Sequence, residues 1–160
     1  MKAIRKLYNP EKRNTIRDYI NHAIKEFPNN TAFIIKNKTG KEVSYTNISY
    51  RDFGEDLKYF GTALIDLCLE NKRIAIISKN RYEWALSYFS VLNGVGITVP
   101  LDKGLPEQEI ESSLARSHAE AVIFEKEYID MMKNIASKNI GVKEFICMDE
   151  NLSDLKSVHN

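Results

Sequence analysis

The chain has 160 residues, 43% of them apolar, which suffices for one domain with its own core and is short for two. It carries 23 basic and 22 acidic residues, and the resulting net charge of +1 lacks the basic excess of a nucleic-acid binder. The longest apolar runs, such as Ile74–Ile77, are far too short to span a bilayer, and no signal-peptide core follows the basic start.

Residues 1–14 read as a basic flexible arm, with Lys2, Arg5, Lys6, Lys12 and Arg13 but no aromatic stacking platform. Thr15 opens a helix, and Asp18 three residues on resembles a capping box. Ile16, Tyr19, Ile20, Ala23, Ile24 and Phe27 follow at spacings of three and four, one apolar stripe ending at Pro28. Ala32–Lys36 and Glu42–Ile48 then read as the strands of a hairpin. Residues 37–41 form its turn, with Gly40 at positive φ. Ser49 and Asp52 repeat the capping pattern, and Tyr50, Phe53, Leu57, Phe60, Leu64 and Leu67 trace the clearest amphipathic helix of the chain.

Arg73–Ile77 is a short apolar run of the kind found in strands buried on both faces. A helix with Trp84, Ala85, Tyr88, Phe89 and Leu92 inward follows, stopped by Asn93 and Gly94. Ile97–Val99 reads as a second buried strand. Pro106 begins a helix whose first turn carries Glu107 and Glu109, carboxylates suited to the helix dipole. Ala121–Phe124 is a third strand, Glu125–Ser137 a helix, and Glu144–Met148 a fourth strand. The pattern predicts an α/β fold. Its core is a partial doubly wound parallel sheet of about four βαβ strands flanked by helices, preceded by a helix and a β-hairpin. Residues 15–149 read as a single α/β domain and 150–160 as a polar tail.

In such a sheet, ligands bind beyond the carboxyl ends of the strands. Those positions are the loops 78–81, 100–105, 125–127 and 149–151, where Ser78, Asn80, Arg81, Asp102 and Lys103 are the polar candidates. Their ordinary reading is as loop and cap residues, with Asn80 capping the Trp84 helix. Gly40-Lys41 lacks the earlier glycine of a phosphate-binding loop, since position 35 is Ile. Gly94-Val95-Gly96 precedes a strand rather than following one, so neither pair supports nucleotide binding. His22, His118 and His159 are isolated, and Cys68 and Cys147 read as small buried hydrophobes in a reducing, cytoplasmic setting. The four glycosylation sequons carry no meaning without secretion. The residues themselves yield no catalytic, cofactor-binding or metal-binding set.

The order of segments resembles the N-terminal part of the AMP-forming acyl-CoA synthetases, the adenylate-forming superfamily. Ile48-Ser49-Tyr50-Arg51-Asp52-Phe53 resembles an early motif of that family. Arg73–Trp84, ending in Asn80-Arg81-Tyr82-Glu83-Trp84, looks like its first parallel strand and the segment after it. Leu92–Asp102 is similar to its Gly-containing Val-Pro-Leu segment. The match runs from about Thr15 to about Asp149, and the Asn-Arg-x-Glu-Trp form leans toward long-chain fatty acid CoA ligases.

The resemblance implies a reaction in which ATP activates a carboxylate, such as a fatty acid, to an acyl-adenylate, and CoA then takes the acyl group. ATP, Mg²⁺ and CoA would be the cofactors of the full-length family. Its phosphate loop, its acidic ribose-binding motif and its lid lysine lie downstream of the matched region, so no site residue carries over and the piece alone is expected to be inactive. A sheet meant to continue would expose an unpaired edge and favour self-association. Two other readings stand beside this one: a non-catalytic acyl- or protein-binding α/β module, and an unrelated nucleotide or flavin binder. The last is disfavoured by the absence of a glycine fingerprint after a strand.

Overall fold

The computed structural model of the protein describes residues 12–149. Most of the expected basic arm and the expected polar tail lie outside those residues. Helix α1 (Ile16–Glu26) starts with a complete capping box. The Thr15 hydroxyl accepts from the Asp18 N–H, and the Asp18 carboxylate accepts from the Thr15 N–H, each at 3.1 Å. Two of the N–H groups left over at a helix start are thereby satisfied. Strands β1 (Thr31–Thr39) and β2 (Glu42–Ser49) pair antiparallel in a hairpin longer than expected. Its turn shrinks to Gly40 and Lys41, and Gly40 has φ 63°. Ser49 and Asp52 form the second capping box, at the start of α2 (Tyr50–Asp66).

The central sheet contains β3 (Arg73–Ile77), β4 (Ile97–Pro100), β5 (Ala121–Phe124) and β6 (Glu144–Cys147), all parallel, in the order β4-β3-β5-β6. Helices α3 (Tyr82–Ser90), α4 (Glu107–Ser117) and α5 (Ile129–Ser137) connect them. The winding direction reverses after β4, because β5 returns to the far side of β3. Successive residues of a strand point to opposite faces, and the core divides accordingly. Ala75, Ile77, Val122 and Phe124 pack with Ile110 and Leu114 of α4 and Met132 and Ile135 of α5. Ile74, Ile76, Ala121 and Ile123 pack with Leu64 of α2 and with Val91. A side chain of this size contributes about 1.5–3 kcal/mol when fully buried, so both faces of the sheet stabilise the domain.

Several expectations need correction. Among the described residues β4 is an edge strand with no strand on its outer side, and Ile97 is 53% exposed. Helix α3 keeps regular geometry only to Ser90. Residues Val91–Val95 then form one widened turn, closed by the Gly96 N–H donating to the Val91 carbonyl at 3.0 Å, with Gly94 at φ 124°. Pro106 caps α4 rather than beginning it. The segment 125–137 is not one helix: Glu125 is extended, Lys126–Tyr128 make a 3-10 turn, and α5 begins at Ile129. Cys68 is exposed at φ 60°, just past the end of α2, and Cys147 is half-buried. Ile24 of α1 packs on Gly54 of α2. A Cβ on that glycine would lie 3.0 Å from it.

Candidate functional site

The reversal of winding makes the carboxyl ends of β3 and β5 the topological switch point, where open α/β sheets bind ligands. Ile77 pairs with Phe124, so the residues just beyond them emerge side by side. A charged cluster occupies that position. Glu125 is 2% exposed, and its two carboxylate oxygens face one residue. The Lys79 N–H donates to Oε1 at 2.8 Å, and the Lys79 ammonium lies 3.1 Å from Oε2. The same ammonium reaches Glu127 at 3.1 Å, and these two carboxylates raise the pKa of Lys79 above its ordinary value. The extended backbone at Glu125, which interrupts the expected helix, is what turns this carboxylate toward Lys79.

A second tie runs from β6 to the start of α3. Arg81 donates from Nε to Glu83 and from Nη1 to Asp149, both at 2.6 Å, and Glu83 foremost holds its guanidinium further toward the charged form. The other oxygen of Asp149 accepts the Lys126 N–H at 2.9 Å. Burial raises the Asp149 carboxyl, but the Lys126 N–H and the Arg81 guanidinium outweigh it and hold it below the usual carboxylate range. Tyr82 joins this end of the sheet to α2. Its hydroxyl donates to Asp56 at 2.5 Å while its ring meets Phe33 and Phe53 edge-on, and burial first, then Asp56, pushes its pKa up. Trp84 stacks on Tyr88, one turn along the same helix.

Of the five polar candidates, only Arg81 belongs to the cluster itself. Ser78 is buried beside it, with its hydroxyl donating to the Lys79 carbonyl at 2.7 Å. Asn80 is exposed and does not cap α3; Arg81 holds the cap position, without a side-chain cap. Asp102 accepts the Gly104 N–H at 2.8 Å, and the Lys103 carbonyl accepts the Tyr128 hydroxyl at 3.0 Å. Lys79, Glu125, Glu127 and Asp149 lie in the loops expected beyond the strands and Glu83 in the Asn80–Trp84 motif, but none is among the five polar candidates. The signal was a Glu directly after the wholly apolar Ala121–Phe124, in register with the end of β3.

Lys79 and Arg81 pair with four carboxylates, and Lys126 adds a third cation beside Asp149, so the cluster is largely self-paired. The carboxylates are bound to Lys79 and Arg81, and among the described residues no three His, Cys, Asp or Glu groups converge as a metal site. The described residues of this cluster, already paired with one another, do not fit ATP with Mg²⁺. What the arrangement does is tie together the loops after β3, β5 and β6.

A profile described as AMP-binding enzyme matches residues 20–159. The chain belongs to the AMP-binding enzyme family. Solved structures share its fold at low identity. A long-chain-fatty-acid-CoA ligase from Archaeoglobus fulgidus aligns with TM-score 0.76 and 18% identity, over 96% of this chain and 30% of that one. An anthranilate CoA ligase in complex with anthranoyl-AMP aligns with TM-score 0.73 and 17% identity, over 93% of this chain and 28% of that one. The N-terminal subdomain of Klebsiella oxytoca NpsA with 3-hydroxyanthranilyl-AMSN aligns with TM-score 0.60 and 19% identity, over 70% and 27%. The chain thus spans less than a third of the length of these three proteins. Among curated proteins no match was found.

Proposed function

We propose that this chain is the N-terminal portion of an ATP-dependent, AMP-forming carboxylic acid–CoA ligase of fatty acid metabolism in the cytoplasm. In this reading residues 15–149 are the N-terminal subdomain of the large domain. The observation that carries it is the family match over residues 20–159, joined to alignments that cover only 27–30% of the aligned proteins. The family reaction joins a carboxylate to AMP and then to CoA. In this reading the described residues supply scaffold for it, and the charged cluster at the switch point is self-paired. Among the described residues no helix is long and apolar enough to cross a membrane.

Calorimetric titration of the chain with ATP and Mg²⁺, alone and with a long-chain fatty acid, is expected to give no saturable heat. Saturable nucleotide binding would mean that loops 78–81 and 100–105 hold nucleotide themselves, and the scaffold reading would be wrong. Among the described residues no strand lies beside the outer edge of β4 in the parallel sheet. Self-association through such an edge is expected in light scattering at high concentration, and a monomer throughout would count against it.

A second reading, a non-catalytic acyl-binding module, is favoured by one cavity. It has a volume of about 420 Å³ and lies between α1, β1 and α2, walled by Ile16, Tyr19, Phe33, Tyr50, Phe53 and Phe89. A fatty acid that favours the folded state raises the thermal midpoint. An unchanged midpoint across a fatty acid series removes this reading.

A further inference from the structure

The β1-β2 hairpin has two unlike faces. Partners across an antiparallel pair share a face, and successive residues of a strand alternate between faces. Phe33 pairs with Ile48 and meets the rings of Phe53 and Tyr82 edge-on, so the face it shares with Ile35 turns toward α2 and α3. The outer face carries the pairs Ile34–Asn47, Lys36–Tyr45 and Lys38–Val43, and all six residues are exposed. A sheet face turned to water ordinarily carries polar side chains. Here Ile34 is 65% exposed, Tyr45 64% and Val43 47%. Tyr45 lies diagonal to Ile34 and two residues along the strand from Val43, so the three form one apolar strip.

Lys36 and Lys38 flank that strip, and Lys41 stands in the turn at its end. None of these three lysines forms an ion pair with a described residue. The only acid in residues 31–49 is Glu42, which lies opposite Thr39 and belongs to the inner face with Asn37 and Ser44. The outer face is therefore apolar and positive at once, whereas Lys79 and Arg81 at the switch point are matched by carboxylates. Three residue pairs on strands about 4.8 Å apart make a face of roughly a few hundred Å². That is short of the ~800 Å² each partner contributes to a stable protein complex. A lipid surface needs no matching shape: it takes apolar side chains among its headgroups, holds a Tyr ring at the boundary with water, and attracts lysines where its headgroups are anionic.

We propose that the outer face of the β1-β2 hairpin docks on an anionic lipid surface, with Ile34, Val43 and Tyr45 entering the headgroup layer and Lys36, Lys38 and Lys41 lying against the lipid phosphates and carboxylates. The contact rests on the membrane surface without crossing it and does not depend on the ligase reading.

The test is co-sedimentation of the chain with vesicles of phosphatidylcholine alone and of phosphatidylcholine mixed with phosphatidylserine. Binding to the mixed vesicles is expected, with far less to phosphatidylcholine alone. K36Q/K38Q removes two charges and I34T/Y45T removes two apolar anchors while keeping residues suited to a strand. Each double variant is expected to weaken binding to the mixed vesicles about tenfold or more. Both change exposed side chains only, so the thermal midpoint is expected to stay within a few degrees of the parent. Failure to sediment with the mixed vesicles overturns the proposal, as does equal binding to phosphatidylcholine alone. Full binding by both variants also overturns it, since another surface, such as the basic residues 1–14, is then the contact. Binding that needs the lysines but survives I34T/Y45T overturns it in favour of an acidic protein partner.

Discussion

Both oxygens of the Glu125 carboxylate are bound by Lys79, one by its backbone N–H at 2.8 Å and the other by its ammonium at 3.1 Å. Lys79 is half exposed and Glu125 is almost wholly buried, so the two contacts differ in kind. The ammonium contact is screened by water, as surface pairs are. The backbone contact is sheltered, and it fixes the loop after β3 against the loop after β5.

Removing the carboxylate therefore acts mainly through the orphaned Lys79 N–H. E125A is expected to lose about 1–3 kcal/mol of stability, the cost of leaving a buried donor unmade. E125Q keeps an oxygen for that donor and is expected to lose distinctly less. Urea unfolding of both variants checks the order; equal losses would assign the effect to charge instead.

The pH dependence of the second tie follows from Asp149. Its folded pKa lies below the usual carboxylate range, so its contribution is present above the unfolded value and fades as pH falls through the folded one. At pH 7, D149N is expected to be less stable than the parent. The deficit is expected to begin shrinking as pH falls below about 4, the unfolded value, and to fade as pH passes through the lower folded one. Denaturant midpoints of both proteins between pH 7 and pH 3 give the difference directly, and a constant deficit would contradict the assignment.

Gly96 tests the packing that sets β4 beside β3. A Cβ there would lie 2.3 Å from the Lys72 carbonyl oxygen, a backbone atom already bound by the Ile97 N–H at 2.9 Å. Neither strand can yield without breaking that bond. G96A is expected to cost about 1–3 kcal/mol or more, as overpacking does. At Gly104 the nearest atom to an added Cβ is a side-chain oxygen at 3.4 Å, and G104A is the matched control, expected to stay near the parent. Thermal unfolding separates the two.

Much of this architecture is legible in the sequence because its signals are local. Thr15 with Asp18 and Ser49 with Asp52 mark two helix starts by a side chain reaching three residues along the chain. The apolar runs 74–77 and 121–124 mark the central strands, since both faces of each are covered. What the sequence does not carry is set by neighbours distant along it. Ile97 looks as apolar as Ile74, yet it lies at an edge because the chain crosses back over β3. Glu125 looks like the first residue of a helix, yet it turns to meet Lys79, 46 residues earlier. Ser90 gives no sign that its hydroxyl is left unbound, because that depends on the turn widening at Gly94.

Cys68 shows the same limit and offers the last prediction. Placed after Leu64 and Leu67, it reads as one more core residue, but it stands just past the end of α2 at φ 60° with its thiol exposed. That conformation crowds a Cβ against the backbone and costs an ordinary residue about 1–2 kcal/mol, which is why glycine is favoured beyond helix ends. The exposed side chain contributes little packing to offset the strain. C68G is expected to gain about 1 kcal/mol, less the entropy of a freer unfolded chain, and to raise the thermal midpoint by a few degrees. C68A keeps the Cβ, removes the thiol and is expected to leave the midpoint near the parent. If C68A stabilised as much as C68G, the thiol rather than the backbone would be the source of the effect.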